Sequence, residues 1–123
     1  MRLRKIWLLC NLVCIISGAF AQQFIHPGVL HSEKSLERIK RLVDQKAQPA
    51  YGSYEILAKL PEARADYQMK GPFEIISRDG KYGYTKGPSE RDFNSAYYNA
   101  LLWKITGKKA HADKSMEIIR AYA

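Results

Sequence analysis

The residues most capable of chemistry lie in a glycine-rich stretch, residues 78–86, where aromatic rings alternate with cations. Tyrosine rings such as those of Tyr82 and Tyr84 can stack on sugar or base faces. Lysine and arginine side chains, here including Arg78, pair with carboxylate or phosphate groups. The stretch is equally compatible with a hairpin whose tyrosines only cover neighbouring helices. Its composition therefore indicates a binding loop or a structural one.

A second group of polar residues interrupts an otherwise apolar segment, residues 92–106. Asn94, Ser95 and Asn99 belong to this group. A buried asparagine requires hydrogen-bond partners, so it either joins neighbouring segments or faces a groove. Both interpretations remain open at this point.

Standard catalytic and metal-binding signatures are missing from the sequence. It has no phosphate-binding loop, no dinucleotide-binding glycine pattern, no nucleophile-elbow motif and no zinc-binding histidine pair. We expect His26 and His31 to be ordinary polar residues near a helix start. His111 stands beside Asp113 in the first turn of a predicted helix, and we expect it to face solvent. No metal site and no cofactor are predicted.

The first 21 residues have the three parts of a secretory signal peptide. A basic start at residues 2–5 precedes an apolar core at residues 6–16 and the A-x-A cleavage pattern Ala19-Phe20-Ala21. The core is too short for a membrane anchor, which needs about 20 apolar residues. We expect cleavage after Ala21, which would leave residues 22–123 in the periplasm or outside the cell, not inserted in a membrane.

Cleavage would change the composition of the chain. Both cysteines, Cys10 and Cys14, would leave with the signal peptide, so the mature chain would have neither a disulfide nor a cysteine metal site. The formal net charge would fall from +8 to +5, because the signal peptide holds three cations and no acid. This balance suits a polyanionic partner or merely a soluble surface. Nucleic acid is not an expected partner, since it conflicts with export.

Helical periodicity predicts that the mature chain is all-α. The third predicted helix is apolar nearly all round, which is typical of a buried helix, and Gly107 suits the left-handed position that ends it. The predicted helices are residues 33–46 with Ser32 as N-cap, 49–60 with a further turn to Ala65, 92–106, and 109 onward.

The segment between the second and third helices, residues 67–91, is rich in glycine, proline and tyrosine. Asp79-Gly80 is a favoured hairpin turn, so Phe73–Ile76 and Lys81–Thr85 could pair as a small β-hairpin. A loop of this length is often functional. The last helix shows no capping residue or polar tail, so we expect residues 22–123 to be the N-terminal portion of a longer helical domain.

The chain resembles the N-terminal part of the alginate lyase family of polysaccharide lyases. The resemblance covers essentially the whole mature segment and is strongest in the third predicted helix. It rests on Phe24-Ile25-His26-Pro27-Gly28-Val29-Leu30-His31, Leu36-x-x-Ile39, Pro49-Ala50-Tyr51, the run from Asn94 to Gly107, and Lys109-Ala110-His111-Ala112-Asp113-Lys114.

This resemblance implies an incomplete α/α toroid whose helix hairpins surround a groove for an acidic polysaccharide. Such enzymes cleave uronate chains by β-elimination, and their catalytic Asn-His pair and later Arg and Tyr normally lie beyond the span seen here. No adjacent Asn-His occurs in this sequence, so the resemblance assigns no catalytic residue and implies that the segment alone is inactive. The candidate substrate-binding residues that it implies are Arg78, Tyr82, Tyr84, Asn94 and Tyr98.

One alternative function is compatible with the same helices. A non-catalytic helical scaffold that binds glycans or proteins at the cell surface would also consist of stacked helix hairpins. The residues of the first and second helix pairs do not repeat, which weighs against a regular repeat array. The lyase interpretation is therefore the main expectation, with the scaffold as the alternative.

Overall fold

The computed structural model describes residues 30–123. The predicted signal peptide, residues 1–21 with cleavage after Ala21, and the following segment 22–29 lie outside the described residues. Within residues 30–123 the chain is all-α, as predicted, and contains no strand. None of its helices there is both long and apolar enough to cross a membrane. The helices are α1 (Glu33–Asp44), α2 (Ala50–Lys59), α3 (Lys86–Thr106) and α4 (Lys109–Tyr122).

The first helix, α1, begins as its sequence predicts. The Ser32 side chain accepts a hydrogen bond from the Ser35 backbone N–H at 3.2 Å, which satisfies one of the free amides of the first turn. Glu33 adds negative charge at this positive end of the helix. Val43 is the buried residue of the apolar stripe, and the helix ends two residues earlier than predicted, at Asp44.

The second helix, α2, ends where proline prevents its continuation. Leu60 adopts an extended conformation, and Pro61–Ala63 form a short 3-10 turn. Ala63 in this turn is only 1% exposed, and the turn packs against α3. The connection from α2 therefore runs along the side of the longest helix, where it forms one wall of the pocket described below.

The third helix, α3, corrects two predictions. It begins at Lys86, six residues before the predicted start at Asp92, because Pro88 lies in the first turn, where a missing N–H costs nothing. The predicted hairpin of Phe73–Ile76 with Lys81–Thr85 is wrong, since residues 80–85 form a 3-10 helix. Gly80 has the positive φ of +68° that suits a turn, but the chain then coils directly into α3.

The last two helices form an antiparallel hairpin and carry the small core. Gly107 has the left-handed φ of 71°, and its N–H donates to the Trp103 carbonyl at 2.7 Å. α3 packs against α4 more extensively than against α1. Between them lies the apolar core, whose members are Tyr67, Ala96 and Ile118, flanked by Met69 and Tyr122.

The buried face of α3 is polar over part of its length, although a helix surrounded by apolar contacts was expected. Ala96, Leu102 and Ile105 form its buried apolar part. Asp92, Ser95 and Asn99 are fully buried, at 0% exposure each. Phe93, Tyr97 and Trp103 remain 39–46% exposed. The aromatic side of the helix is therefore open within the described residues, and hydrogen bonds rather than apolar packing occupy much of its inner side.

Candidate functional site

An open pocket of about 490 Å³ lies between the segment that follows α2 and the first half of α3. This volume is within the range of small-ligand sites. We call it the basic pocket, because three of its five charged residues are cations. Its lining residues are Pro61, Glu62, Arg64, Asp66, Tyr67, Gln68, Lys70 and Arg91.

The cations of the basic pocket differ in their partners. Arg64 is held by Asp66 in a bidentate pair, with Nε–Oδ1 at 2.8 Å and Nη2–Oδ2 at 2.7 Å. Within residues 30–123, neither Lys70 nor Arg91 forms an ion pair, and both side chains are exposed. These two cations are therefore available to an anionic ligand.

The buried carboxylate of Asp92 forms hydrogen bonds with residues in the wall of the basic pocket. Its oxygens accept hydrogen bonds from the Tyr67 hydroxyl at 2.9 Å and the Tyr122 hydroxyl at 2.7 Å. They also accept from the backbone N–H groups of Lys70 and Gly71, each at 2.9 Å. Two of these donors, Tyr67 and Lys70, line the pocket, so Asp92 joins the pocket wall to α3 and to the end of α4.

The electrostatics of this cluster keep Asp92 ionised. Burial alone would raise the pKa of Asp92, but the backbone donors of Lys70 and Gly71 and the two tyrosine hydroxyls outweigh it, so that the pKa lies below its ordinary value. Burial and the neighbouring Asp92 charge raise the pKa of Tyr67 and of Tyr122. Both tyrosines therefore remain protonated donors, and the arrangement supports structure rather than proton transfer.

Gly71 occupies the tightest position of the cluster. A Cβ placed on it would collide with the Tyr122 hydroxyl and would lie 2.9 Å from the backbone N of Phe73. The close packing of the Gly71 backbone against Tyr122 and Phe73 therefore favours glycine at this position.

A second buried network joins α3 to α4 through Asn99 and His111, and it corrects the expectation that His111 faces solvent. The Asn99 Nδ2 group donates to the Ser95 and Glu62 carbonyls at 3.0 and 3.2 Å. Its Oδ1 therefore faces His111, whose Nδ1 donates to it at 2.7 Å. Burial, together with the positive charge of Lys108, lowers the pKa of His111. Asn99 thus joins neighbouring segments, which is one of the two roles left open for it.

The structure places the five predicted binding residues in two separate groups. Arg78, Tyr82 and Tyr84 lie in the segment before α3, where Tyr84 is 68% exposed and Tyr82 is half-buried. On α3, Asn94 is exposed and Tyr98 is half-buried. Within residues 30–123, no hydrogen bond or ring contact joins the two groups.

The loop before α3 is ordered by its own contacts. The Thr85 hydroxyl donates to the Tyr82 carbonyl at 2.7 Å and accepts from the Ser77 N–H at 3.2 Å. The Lys81 ammonium lies 5.3 Å from the centre of the Tyr82 ring. A Cβ on Gly83 would lie 3.2 Å from the Arg78 carbonyl oxygen. The loop therefore presents Tyr84 outward from a fixed backbone.

The sequence did not predict the basic pocket, because the seven lining residues within 61–70 form no recognisable motif and Arg91 joins them only in the folded chain. Arg91 and Lys70 line the same pocket, and Asp92, the residue after Arg91, binds the Lys70 and Gly71 amides. Among the described residues, no group of three or more histidine, cysteine, aspartate or glutamate side chains is placed to hold a metal ion. Comparison of the chain with protein-family models, with curated proteins and with solved structures found no match.

Proposed function

We propose that this chain is the substrate-contacting, N-terminal part of a secreted polysaccharide lyase that cleaves uronate-containing polysaccharide, such as alginate, by β-elimination. The observation that carries the proposal is the basic pocket, where Lys70 and Arg91 form no ion pair with any described residue and lie beside the Gln68 amide and the Tyr67 ring. Cations pair with sugar carboxylates, and amide groups suit sugar hydroxyls. The resemblance to alginate lyases supplies the reaction.

In β-elimination, a base removes the proton at C5 of the uronate, and the bond from C4 to the leaving oxygen O4 breaks while that oxygen is protonated. Removal of the C5 proton places negative charge on the carboxylate, so cations near the carboxylate lower the barrier. Lys70 and Arg91 can supply this charge or hold a neighbouring uronate of the chain. The base and acid are expected among the family's Asn-His pair and downstream Arg and Tyr, to which no residue of this chain is assigned.

The helix hairpins support the incomplete α/α toroid as the framework. α1 and α2 contact each other, α3 and α4 form the larger hairpin, and α1 also packs on α3. Adjacent hairpins of this kind are the repeating unit of a toroid. In this arrangement the loop with Arg78, Tyr82 and Tyr84 contacts the sugar, and Asn94 and Tyr98 face the groove.

The alternative, a non-catalytic scaffold at the cell surface, has one specific observation in its favour. Phe93, Tyr97 and Trp103 leave an aromatic side of α3 open to solvent within the described residues, and exposed aromatic residues are frequent at protein interfaces. The scaffold would bind a polymer or a protein without changing it, so product formation separates it from the lyase. Both proposals share the exported location that residues 1–21 predict.

Substitution of the two free cations tests whether the basic pocket binds uronate. We expect Arg91→Gln and Lys70→Gln each to weaken binding of alginate oligosaccharides to the full-length protein by about tenfold at low salt, the equivalent of ~1.4 kcal/mol. Isothermal titration at two salt concentrations measures this, because the effect should shrink at high salt.

The matched control is Lys34→Gln, which removes an exposed cation of α1 outside the pocket lining. It should change the affinity by less than about twofold, since a distant surface charge is screened. An equal loss of affinity in Lys34→Gln and Arg91→Gln would show that the polymer is attracted only by the net charge of the protein. Unchanged affinity in both pocket variants would place the uronate elsewhere.

A further inference from the structure

The charge of the basic pocket is closely balanced. Three cations and two acids line it, so that its formal net charge is +1. A site for a densely charged anion would gain from more uncompensated cations, because each acid near the ligand repels it. The lining residues that carry charge are Arg64, Lys70, Arg91, Glu62 and Asp66.

The acid that matters most for this balance is Asp66. Both of its oxygens receive N–H groups of Arg64 at 2.7 and 2.8 Å, so the guanidinium fork is already filled by a carboxylate. The two side chains are 65% and 68% exposed, which means that the pair stands at the pocket rim and no buried contact depends on it. An anionic ligand must therefore compete with Asp66 for Arg64, whereas Lys70 and Arg91 form no ion pair within residues 30–123.

We infer that Asp66 is a specificity-determining residue of the basic pocket, which restricts it to chains with about one carboxylate per sugar and disfavours sulfated polysaccharides. This inference rests on the proposed function and names the substrate class of the same site. A uronate chain satisfies the two free cations. A sulfated chain brings additional negative charge, for which Arg64 is occupied and against which Asp66 and Glu62 are repulsive.

The test compares Asp66→Asn with the wild-type protein on two probes of equal length, an alginate oligosaccharide and a heparin-derived oligosaccharide. The substitution frees Arg64 and removes one repulsive charge, so we expect affinity for the heparin probe to rise by about tenfold and affinity for the less densely charged alginate probe to rise by less, about threefold. Asp44→Asn is the matched control, since Asp44 is an exposed acid paired with Lys40 outside the pocket lining.

Each outcome distinguishes the two proposals. If the wild-type protein binds the alginate probe and Asp66→Asn raises affinity for the heparin probe no more than Asp44→Asn does, Asp66 does not determine specificity, although the pocket still binds uronate. If the wild-type protein binds neither probe, the proposed function is wrong and the inference falls with it. A thermal melt of each variant shows that an altered affinity does not arise from unfolding.

Discussion

Replacement of Asp92 by alanine is expected to lower the free energy of unfolding by about 3 kcal/mol or more. The substitution removes the acceptor of the Tyr67 and Tyr122 hydroxyls. It also leaves the Lys70 and Gly71 amides without their partner. Urea denaturation measures the change, with the midpoint and slope both fitted.

An exposed carboxylate provides the control for this prediction. Asp113 pairs with Lys109 one helical turn away and is 60% exposed, so Asp113→Ala should cost less than about 0.5 kcal/mol. Comparable losses for the two substitutions would show that the Asp92 cluster contributes no more than a surface ion pair, and the explanation of the pocket wall would then be wrong.

The low pKa of Asp92 also gives a direction for the pH dependence. Hydrogen bonds hold the pKa of Asp92 in the folded protein below the ordinary value of 3.8. As the pH falls, this carboxylate is therefore protonated in the unfolded chain before it is protonated in the folded protein. The contribution of this group is complete above pH 3.8 and is lost as the pH falls through the folded pKa. Asp92→Asn should lack this component of acid unfolding.

Replacement of Ile118 by alanine should lower the free energy of unfolding by about 2–4 kcal/mol. Ile118 is 0% exposed and lies at the centre of the core formed with Tyr67 and Ala96. Truncation leaves a cavity between α3 and α4 that this small core has few other side chains to fill. Urea denaturation again gives the difference.

The next residue in the chain, Ile119, provides a control for Ile118 because it has the same side chain. Ile119 is 51% exposed, so Ile119→Ala removes the same atoms without opening a cavity and should cost less than about 0.7 kcal/mol. If the two substitutions destabilised the protein equally, the face of α4 that packs against α3 would be assigned incorrectly.

Local signals in the sequence were sufficient to predict the helix boundaries that depend on capping. Ser32 accepts the hydrogen bond expected of an N-cap, and Gly107 adopts the left-handed conformation that ends α3. In both cases the relevant atoms lie within four residues of each other, so residue type alone carries the information.

The start of α3 and the nature of its buried face could not be predicted in the same way. The dipeptide Asp79-Gly80 has the composition of a hairpin turn, but a hairpin also requires strands that pair, and the chain coils instead. The largely apolar sequence of the third helix predicted that it is buried, whereas Phe93 is 46% exposed and Asp92 is fully buried. Its partners lie 21–30 residues away in sequence, a separation that no local pattern reports.

For the candidate site as well, only features formed by residues close together in the sequence could be predicted. Tyr82 and Tyr84 were predicted to bind sugar because aromatic and basic residues alternate over a few positions, and that role stays a prediction. Lys70 and Arg91 are far apart in sequence and line one pocket in the fold, where the Asp92 carboxylate binds the backbone of residues 70 and 71. A buried acid with several distant donors is therefore the feature of the structure that reveals this site.

The most direct test of the proposed lyase is incubation of the full-length protein with alginate, glucuronan and glycosaminoglycan chains, followed by ultraviolet absorbance. Elimination places a double bond between C4 and C5 of the new chain end, so we predict a steady rise in absorbance on at least one uronate polymer and a slower rise in Arg91→Gln. Binding of these polymers with no rise in absorbance would contradict the lyase and favour the scaffold.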